Sequence, residues 1–347
     1  MESSLLCAIP TVTSVAVAPG DTIDERYQVL ERLGRGGMAD VWAATDLSSR
    51  RQVALKLMHV RTAKDPVLIE RMQREARIAA AIQSPYVCAV LGSGSARGRP
   101  YIVYERLDGE PLSRLLSRET SLPFSEVAIL FDNVLEGLVA AHTAGAIHRD
   151  LTPANIFLQD VSTGRRAKIL DFGISKERAP SVELTLTRDG SELGSLAYMA
   201  PEQAKAAWEV DERADIYAVG TIMFRALAGR LPFEASSPRA VVAMKVERDP
   251  PSLGEVTAEV WPADLERFLQ TSLSRRREDR FPSAWSALAA WRMVVAHTDS
   301  AREKGARASR HPPPPVEAVE ENTRTETMTM TVAHPRRISP KGTGRKR

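Results

Sequence analysis

The sequence predicts an α+β fold with two lobes, a small β-rich lobe followed by a larger, mainly helical one. Two observations carry this prediction. Between Tyr27 and Glu105, short stretches of alternating apolar and polar residues are bounded by turn residues, which is typical of strands, and a single stretch has helical spacing. Beyond Pro111, apolar residues mostly recur every three or four positions, which is typical of amphipathic helices.

The first lobe is predicted to hold five strands and one helix. Short turns connect the first three strands, so antiparallel pairing is the simplest arrangement. The helix is indicated by Met72, Ala76 and Ala79, which share one face, with Pro66 suited to its first turn. The predicted strands are, in chain order, Tyr27–Leu33, Ala39–Ala44, Gln52–His59, Val87–Gly92 and Pro100–Glu105.

The second lobe is predicted to be built from long helices, and the chain to be divided accordingly. We expect a flexible leader (1–25), a folded domain (26–295) with lobes at about 26–106 and 107–295, and a tail (296–347). The tail is basic, rich in proline and threonine and poor in apolar residues, which predicts disorder. The predicted helices are Phe124–Ala144, Asp211–Leu227, Ala263–Leu273 and Pro282–Val295.

Charge and cysteine content exclude several classes of protein. The net charge is +3, and because the tail alone carries +5, the folded part is slightly acidic, which argues against nucleic-acid binding. Two cysteines are too few for a disulfide framework or a zinc site, which favours a reducing, cytoplasmic compartment. The longest apolar run, Ala287–Ala296, is interrupted by Arg292 and is too short to span a membrane.

A glycine-rich segment follows the first predicted strand. Gly34, Gly36 and Gly37 lack a Cβ, so their backbone can approach phosphate groups closely. An ordinary glycine-rich hairpin turn explains the segment equally well.

A lysine in the third predicted strand stands among apolar residues. Lys56 needs an anionic partner there, because burying an unpaired charge is costly. Glu75 can supply it, since it lies beside the apolar face of the predicted helix. The alternative is that both side chains are simply solvated.

Two further motifs carry acidic and amide side chains that suit phosphoryl transfer. One runs from His148 to Asn155 and contains Asp150; the other is the Asp-Phe-Gly sequence that begins at Asp171. Phosphoryl transfer needs a carboxylate to orient the substrate hydroxyl and oxygen ligands for Mg²⁺. Asp150 can serve the first need, and Asn155 and Asp171 the second.

With these motifs in order, the chain resembles the bacterial eukaryotic-like (Hanks-type) serine/threonine protein kinases over roughly residues 27–294. The Ala-Pro-Glu sequence ending at Glu202, the aspartate at Asp215 and the arginine at Arg280 are similar to further family motifs. The resemblance implies a bilobal protein-kinase fold and transfer of the γ-phosphate of ATP to serine or threonine residues of proteins. It also implies Mg²⁺, or Mn²⁺ in its place.

The resemblance implies a role for each matching residue. The catalytic residues would be Lys56, Glu75, Asp150, Asn155 and Asp171, of which Asn155 and Asp171 would bind the metal. Tyr104 would lie at the back of the cleft, and Glu105 and Leu107 would offer backbone groups to adenine. The implied ATP-binding residues are Leu33, Gly34, Gly36, Gly37, Val41, Ala54, Lys56, Tyr104, Glu105, Leu107 and Phe157.

Two positions depart from the family pattern. Ala39 stands where a third glycine is usual, which adds one methyl group to the loop. Thr152 stands where serine/threonine kinases usually have a lysine that meets the transferred phosphate, so we expect slower turnover than is typical.

Regulation is expected to involve phosphorylation. Thr185 or Thr187 would be phosphorylated by the chain itself, with Ser191 a weaker candidate, and Arg149 would receive the phosphate. Threonines of the tail and Ser339 could recruit a phosphothreonine-binding partner, although a plain solvated linker is the favoured interpretation of the tail.

Two alternatives remain open at this point. One is a pseudokinase scaffold that binds nucleotide and partner proteins without catalysis, which Ala39 and Thr152 favour somewhat. The other is a small-molecule phosphotransferase on a related fold, which the Ala-Pro-Glu motif disfavours. The protein substrate, activating signal and oligomeric state do not follow from the sequence.

Overall fold

The first lobe is built on one antiparallel sheet. The computed structural model of the chain describes residues 17–172, 196–204 and 210–308. The six strands of the sheet are ordered β1-β2-β3-β4-β6-β5, so β4 is central. Their bounds are β1 Thr22–Ile23, β2 Tyr27–Arg35, β3 Ala39–Asp46, β4 Arg51–Met58, β5 Val90–Ala96 and β6 Arg99–Glu105.

The alternating pattern of β4 sets the position of Lys56. Leu55 and Leu57 are fully buried on one face of the sheet, in the apolar cluster that includes Trp42. Since successive side chains of a strand point to opposite faces, Lys56 lies on the other face, beside the helix that carries Glu75 (α1, Pro66–Ala81). In the sheet it pairs with Val41 on one side and Ile102 on the other, which fixes its depth in the lobe.

Two of the predicted limits in this lobe need correction. The predicted strand Val87–Gly92 is found at Val90–Ala96, because Val87 forms a parallel bridge with Ile169 of the second lobe instead. Part of the predicted leader is ordered: Thr22–Ile23 forms β1, which pairs with the first two residues of β2.

Helix α1 (Pro66–Ala81) is the one long helix of the described first lobe, as predicted. Its N-terminus is capped by the side chain of Asp65, which accepts a hydrogen bond from the Val67 amide, and Pro66 occupies the first turn. Its buried face holds Met72, Ala76, Ala79 and also Glu75. An acidic residue on the apolar face is therefore carried into the interior.

The second lobe is mainly helical, as predicted, and its core surrounds one central helix. That helix, α4, is buried along most of its length. Packed with it are the aromatic rings of Phe131, Phe268 and Trp291. The helices described in this lobe are α2 Leu112–Arg118, α3 Phe124–Thr143, α4 Arg213–Ala228, α5 Pro238–Glu247, α6 Leu253–Thr257, α7 Ala263–Ser272 and α8 Ala284–Ala308.

The second lobe also differs from the prediction in detail. It contains a small sheet that alternation did not indicate, formed by β7 (Gly109–Pro111), β8 (Ile156–Val161) and β9 (Gly164–Ile169). The last helix continues to Ala308, past the predicted start of the tail at residue 296. Within the described residues, no helix combines the length and apolar character needed to cross a membrane.

Candidate active site

Three predicted residues meet at the back of the cleft between sheet and second lobe. Lys56 Nζ lies 2.6 Å from Glu75 Oε1 and 3.0 Å from Asp171 Oδ1. Lys56 is 8% exposed and Glu75 is 5% exposed, so their pairing is an interior contact. The interpretation of both as solvated side chains is therefore wrong.

The electrostatics of this cluster keep the lysine charged. Burial by itself would lower the pKa of Lys56, but the negative charges of Asp171 and Glu75 outweigh it and raise that pKa. Burial raises the pKa of Glu75, which the positive charge of Lys56 opposes. The ammonium is thus held ready for an anionic ligand at neutral pH.

Tyr104 adds a contact that the sequence did not indicate. Its hydroxyl donates a hydrogen bond of 2.9 Å to Glu75 Oε1, the same oxygen that binds Lys56. Burial, followed by the charge of Glu75, raises the pKa of Tyr104 well above its ordinary value. This hydrogen bond joins strand β6 to helix α1 next to Lys56.

The loop around Asp150 is held from below by a buried carboxylate. Asp215 of α4 accepts hydrogen bonds from the amides of His148 and Arg149, each at 2.8 Å, and from His142 Nε2 at 2.9 Å. Burial opposes the charge of Asp215, but these hydrogen bonds prevail and lower its pKa. They hold the loop in place while Arg149 adopts a φ of +62°, a conformation uncommon for non-glycine residues.

Hydrogen bonds bring Asp150, Asn155 and Asp171 into one neighbourhood. The side-chain amide of Asn155 donates to the Asp150 carbonyl at 2.8 Å. The amide of Leu170, which directly precedes Asp171, donates to the Asn155 carbonyl at 2.8 Å. These hydrogen bonds hold the chain at Asp150, Asn155 and Leu170 together, and Asp171, which follows Leu170, is the residue of this group that contacts Lys56.

A cavity of about 590 Å³ opens in front of this cluster. Of the predicted ATP-binding residues, it is lined by Leu33, Gly34, Val41, Ala54, Lys56, Tyr104, Glu105, Leu107 and Phe157, together with Asp171. Sequence reasoning missed the other lining residues. Most of them belong to the hinge (residues 106–108, between β6 and β7), to β7, to α2 and to the turn before β8, whereas Cys88 precedes β5 and Leu170 follows β9. The missed residues are Cys88, Arg106, Asp108, Gly109, Pro111, Arg114, Ala154 and Leu170.

Gly36 and Gly37 are not among the residues that line the cavity. The Gly36 amide donates to the Ala39 carbonyl at 3.0 Å, and a Cβ on Gly36 would lie 2.9 Å from that same oxygen. Hairpin geometry alone thus accounts for Gly36, and contact of Gly36 and Gly37 with phosphate stays a prediction.

With this geometry in hand, comparison with known proteins is decisive. A family model for the protein kinase domain matches residues 27–291. The chain belongs to this family. The resemblance to bacterial serine/threonine protein kinases and the bilobal kinase fold are both confirmed.

Two curated relatives illustrate the similarity. The chain is 35% identical over 269 residues to a probable serine/threonine-protein kinase PknB of Corynebacterium glutamicum, covering 76% of this chain and 41% of that protein. It is 38% identical over 274 residues to serine/threonine-protein kinase pkn3 of Myxococcus xanthus, covering 76% and 49%. The matched region is thus less than half of each relative.

Solved structures agree. The PknI kinase domain of Mycobacterium tuberculosis superposes with a TM-score of 0.62 at 28% identity, covering 80% of this chain and 100% of that one.

In this kinase domain the side chains suited to a divalent metal are oxygen donors. Mg²⁺ prefers a small number of carboxylate or carbonyl ligands and completes its shell with water and substrate phosphates. Asn155 and Asp171 fit this requirement. The side-chain nitrogen of Asn155 donates its hydrogen bond to the Asp150 carbonyl, so the side-chain oxygen of Asn155 is the atom that could bind the metal. Among the described residues, no three or more His, Cys, Asp or Glu side chains are grouped so that they could hold a metal ion by themselves.

The hinge of the kinase domain is fixed by its own ion pair. Glu105 Oε1 accepts hydrogen bonds from Lys168 Nζ at 2.5 Å and from the Ala89 amide at 2.8 Å. The Glu105 side chain thereby binds the hairpin of β8 and β9 in the second lobe. The sequence predicted only a backbone role for Glu105, because nothing local pairs it with a lysine 63 positions away.

Several predicted residues cannot be placed. Gly173, Thr185, Thr187 and Ser191 lie outside the described residues, as do the leader before Val17 and the tail beyond Ala308.

Proposed function

We propose that this kinase domain transfers the γ-phosphate of ATP to serine and threonine hydroxyls of protein substrates. The observation that carries the proposal is the meeting of Lys56, Glu75 and Asp171 at the back of a nucleotide-sized cleft. Lys56 and Asp171 are 115 positions apart, so chance proximity of two common residue types is a poor explanation. No observation favours the scaffold alternative.

Each residue has a role that its position supports. Lys56, held by Glu75, would bind the α- and β-phosphates of ATP, and the apolar walls of the cleft would take the adenine. Asp150 would orient the substrate hydroxyl and accept its proton. Asn155 and Asp171 would hold Mg²⁺, or Mn²⁺ in its place, which supplies charge neutralisation at the phosphates when bound.

The wider proposal concerns the chain as a whole. We propose a kinase domain over about 26–295, extended at its start by β1 and at its end by the continuation of α8, and followed by a tail whose threonines could recruit a phosphothreonine-binding protein. Two cysteines fit a cytoplasmic compartment, which cell fractionation would test. We also propose that the chain activates itself by phosphorylation at Thr185 or Thr187.

One experiment tests catalysis and self-activation together. The chain, its Asp150→Asn variant and an Asp160→Asn control are incubated with labelled ATP and Mg²⁺. Asp160 is an exposed aspartate on β8 that is not among the residues lining the cleft, so Asp160→Asn removes the same charge without changing a proposed site residue.

We expect Asp150→Asn to lower phosphate incorporation by at least a hundredfold, since general base catalysis contributes about that much or more, and Asp160→Asn to behave like the native chain. Equal labelling of all three overturns the catalytic proposal. Mass spectrometry of the native product should find phosphate on Thr185 or Thr187; unmodified peptides there would rule out self-activation at these sites.

A further inference from the structure

A lysine is buried in the second lobe, away from the nucleotide cleft. Lys245 of α5 is 3% exposed. Its ammonium donates hydrogen bonds to three backbone carbonyls, those of Leu196 at 3.0 Å, Ala197 at 2.7 Å and Met199 at 2.7 Å. We call residues 196–199 the clamped segment.

Among the described residues, no carboxylate forms an ion pair with Lys245. Its ammonium lies over the Tyr217 ring of α4, with Nζ 5.3 Å from the ring centroid. Arg280 lies over the same ring at 4.9 Å, but its charge is matched by Glu202, which it binds with two hydrogen bonds. On α5 itself, Glu247 is exposed. The buried ammonium is therefore stabilised by three backbone carbonyls, where a buried lysine usually has a carboxylate partner.

The number of carbonyls that Lys245 can bind depends on whether its amine is protonated. An ammonium has three N–H groups and satisfies all three carbonyls, whereas a neutral amine has two and leaves one carbonyl unsatisfied. Burial lowers the pKa of Lys245 to about 7. The contact is therefore complete below pH 7 and loses a donor as the pH rises above it.

The clamped segment lies beside the proposed catalytic residue. Tyr198 and Met199 line a small cavity together with Asp150. Next along the chain, Gln203 accepts a hydrogen bond from the Ala200 amide at 2.9 Å and donates one to the Arg149 carbonyl at 2.8 Å. We therefore expect a peptide whose hydroxyl reaches Asp150 to contact this segment, whose side chains at 197–199 are partly exposed.

We propose that Lys245 is a positioning residue for the protein substrate: by binding three carbonyls of the clamped segment, it holds next to Asp150 the surface that the substrate peptide contacts. This inference rests on the proposed function. Lys245 is not among the residues that line the nucleotide cleft, so its effect falls on the peptide and not on ATP.

Steady-state kinetics with three variants separate these effects. Lys245→Met keeps an unbranched side chain one atom shorter and removes every donor. Lys245→Arg keeps the charge at all working pH values, and Arg239→Met removes an exposed cation from the same helix as a control. The peptide substrate is a synthetic copy of residues 180–194, and KM for peptide, KM for ATP and kcat are measured from pH 6.0 to 8.5.

Lys245→Met removes all three hydrogen bonds, and we expect it to raise the peptide KM by about tenfold or more, with the KM for ATP within about twofold of the native value. In the native chain, the peptide KM should rise roughly three- to tenfold more between pH 6.0 and 8.5 than in Lys245→Arg. Arg239→Met should match the native chain. A native peptide KM in Lys245→Met, or parallel pH profiles in the native chain and Lys245→Arg, overturns the proposal.

Hydrogen–deuterium exchange decides the question without catalysis. At constant pH, the amides of residues 196–200 should exchange at least about tenfold faster in Lys245→Met than in the native chain, while those of α3 stay unchanged. Equal exchange in both proteins overturns the clamp. If the native chain phosphorylates nothing, the proposed function fails. The exchange measurement still tests whether Lys245 holds the clamped segment.

Discussion

The buried ion pair between Glu202 and Arg280 allows a quantitative prediction. The Arg280 side chain is 0% exposed and donates to both carboxylate oxygens of Glu202, at 2.7 and 2.8 Å. Its remaining donors bind the backbone carbonyls of Ser274 at 2.8 Å, Arg213 at 3.1 Å and Arg275 at 3.3 Å. The guanidinium therefore has no solvent to replace a lost partner.

Glu202→Ala leaves that guanidinium buried with carbonyl partners alone. Removing one member of a buried pair costs about 3–5 kcal/mol, and since three carbonyls stay in place we expect the lower end, about 3 kcal/mol. For a domain of this size, 1 kcal/mol corresponds to about 2–4 °C, so Tm should fall by roughly 6–12 °C. Urea unfolding followed by tryptophan fluorescence, and calorimetry, measure the two quantities.

Two further variants make the reasoning refutable. Glu119→Ala removes a carboxylate that lies 3.7 Å from Arg118, where both side chains are about half exposed, and should cost less than about 1 kcal/mol. Adding Arg280→Met to Glu202→Ala removes the stranded charge and should recover part of the loss. A loss below about 1 kcal/mol in Glu202→Ala, or no recovery in the double variant, would refute the argument.

Three other substitutions have defined outcomes. Tyr104→Phe deletes the hydrogen bond to Glu75 and should lower the free energy of unfolding in urea by about 1.5–3 kcal/mol; a change below about 0.5 kcal/mol would contradict it. Thr152→Lys should raise kcat by about tenfold or more, because it restores a positive charge near the transferred phosphate; an unchanged kcat counts against the charge argument. Gly109→Ala places a Cβ against the carbonyl oxygen of Leu158 in β8 at a φ of +137° and should cost more than about 1 kcal/mol in calorimetry. Gly98→Ala, at a φ of +73° with open space, is its control and should cost less.

Local patterns located the elements that have one buried and one exposed face. The alternation around Lys56 and the helical spacing around Glu75 placed both residues on the correct elements and faces, because face and period are properties of neighbouring residues. The same reasoning missed β8 and β9, since Gly164 and the arginines after it form a strand only through their pairing with residues 156–161. It also shifted β5, where Val87 is drawn into a bridge with Ile169.

Pattern and motif in the sequence were enough to predict the two-lobed fold, the family resemblance and the residue types needed for phosphoryl transfer. The hydrogen-bond partners of the buried charges became visible only in the folded chain: Tyr104 and Lys56 on one oxygen of Glu75, Lys168 on Glu105, and Lys245 on three carbonyls. The spacing of apolar residues is a property of a few neighbouring residues, so it can be read directly from the sequence. Hydrogen-bond partners of buried charges are chosen among groups tens of positions apart, because the interior offers no water and whichever donors and acceptors the fold brings together must satisfy one another.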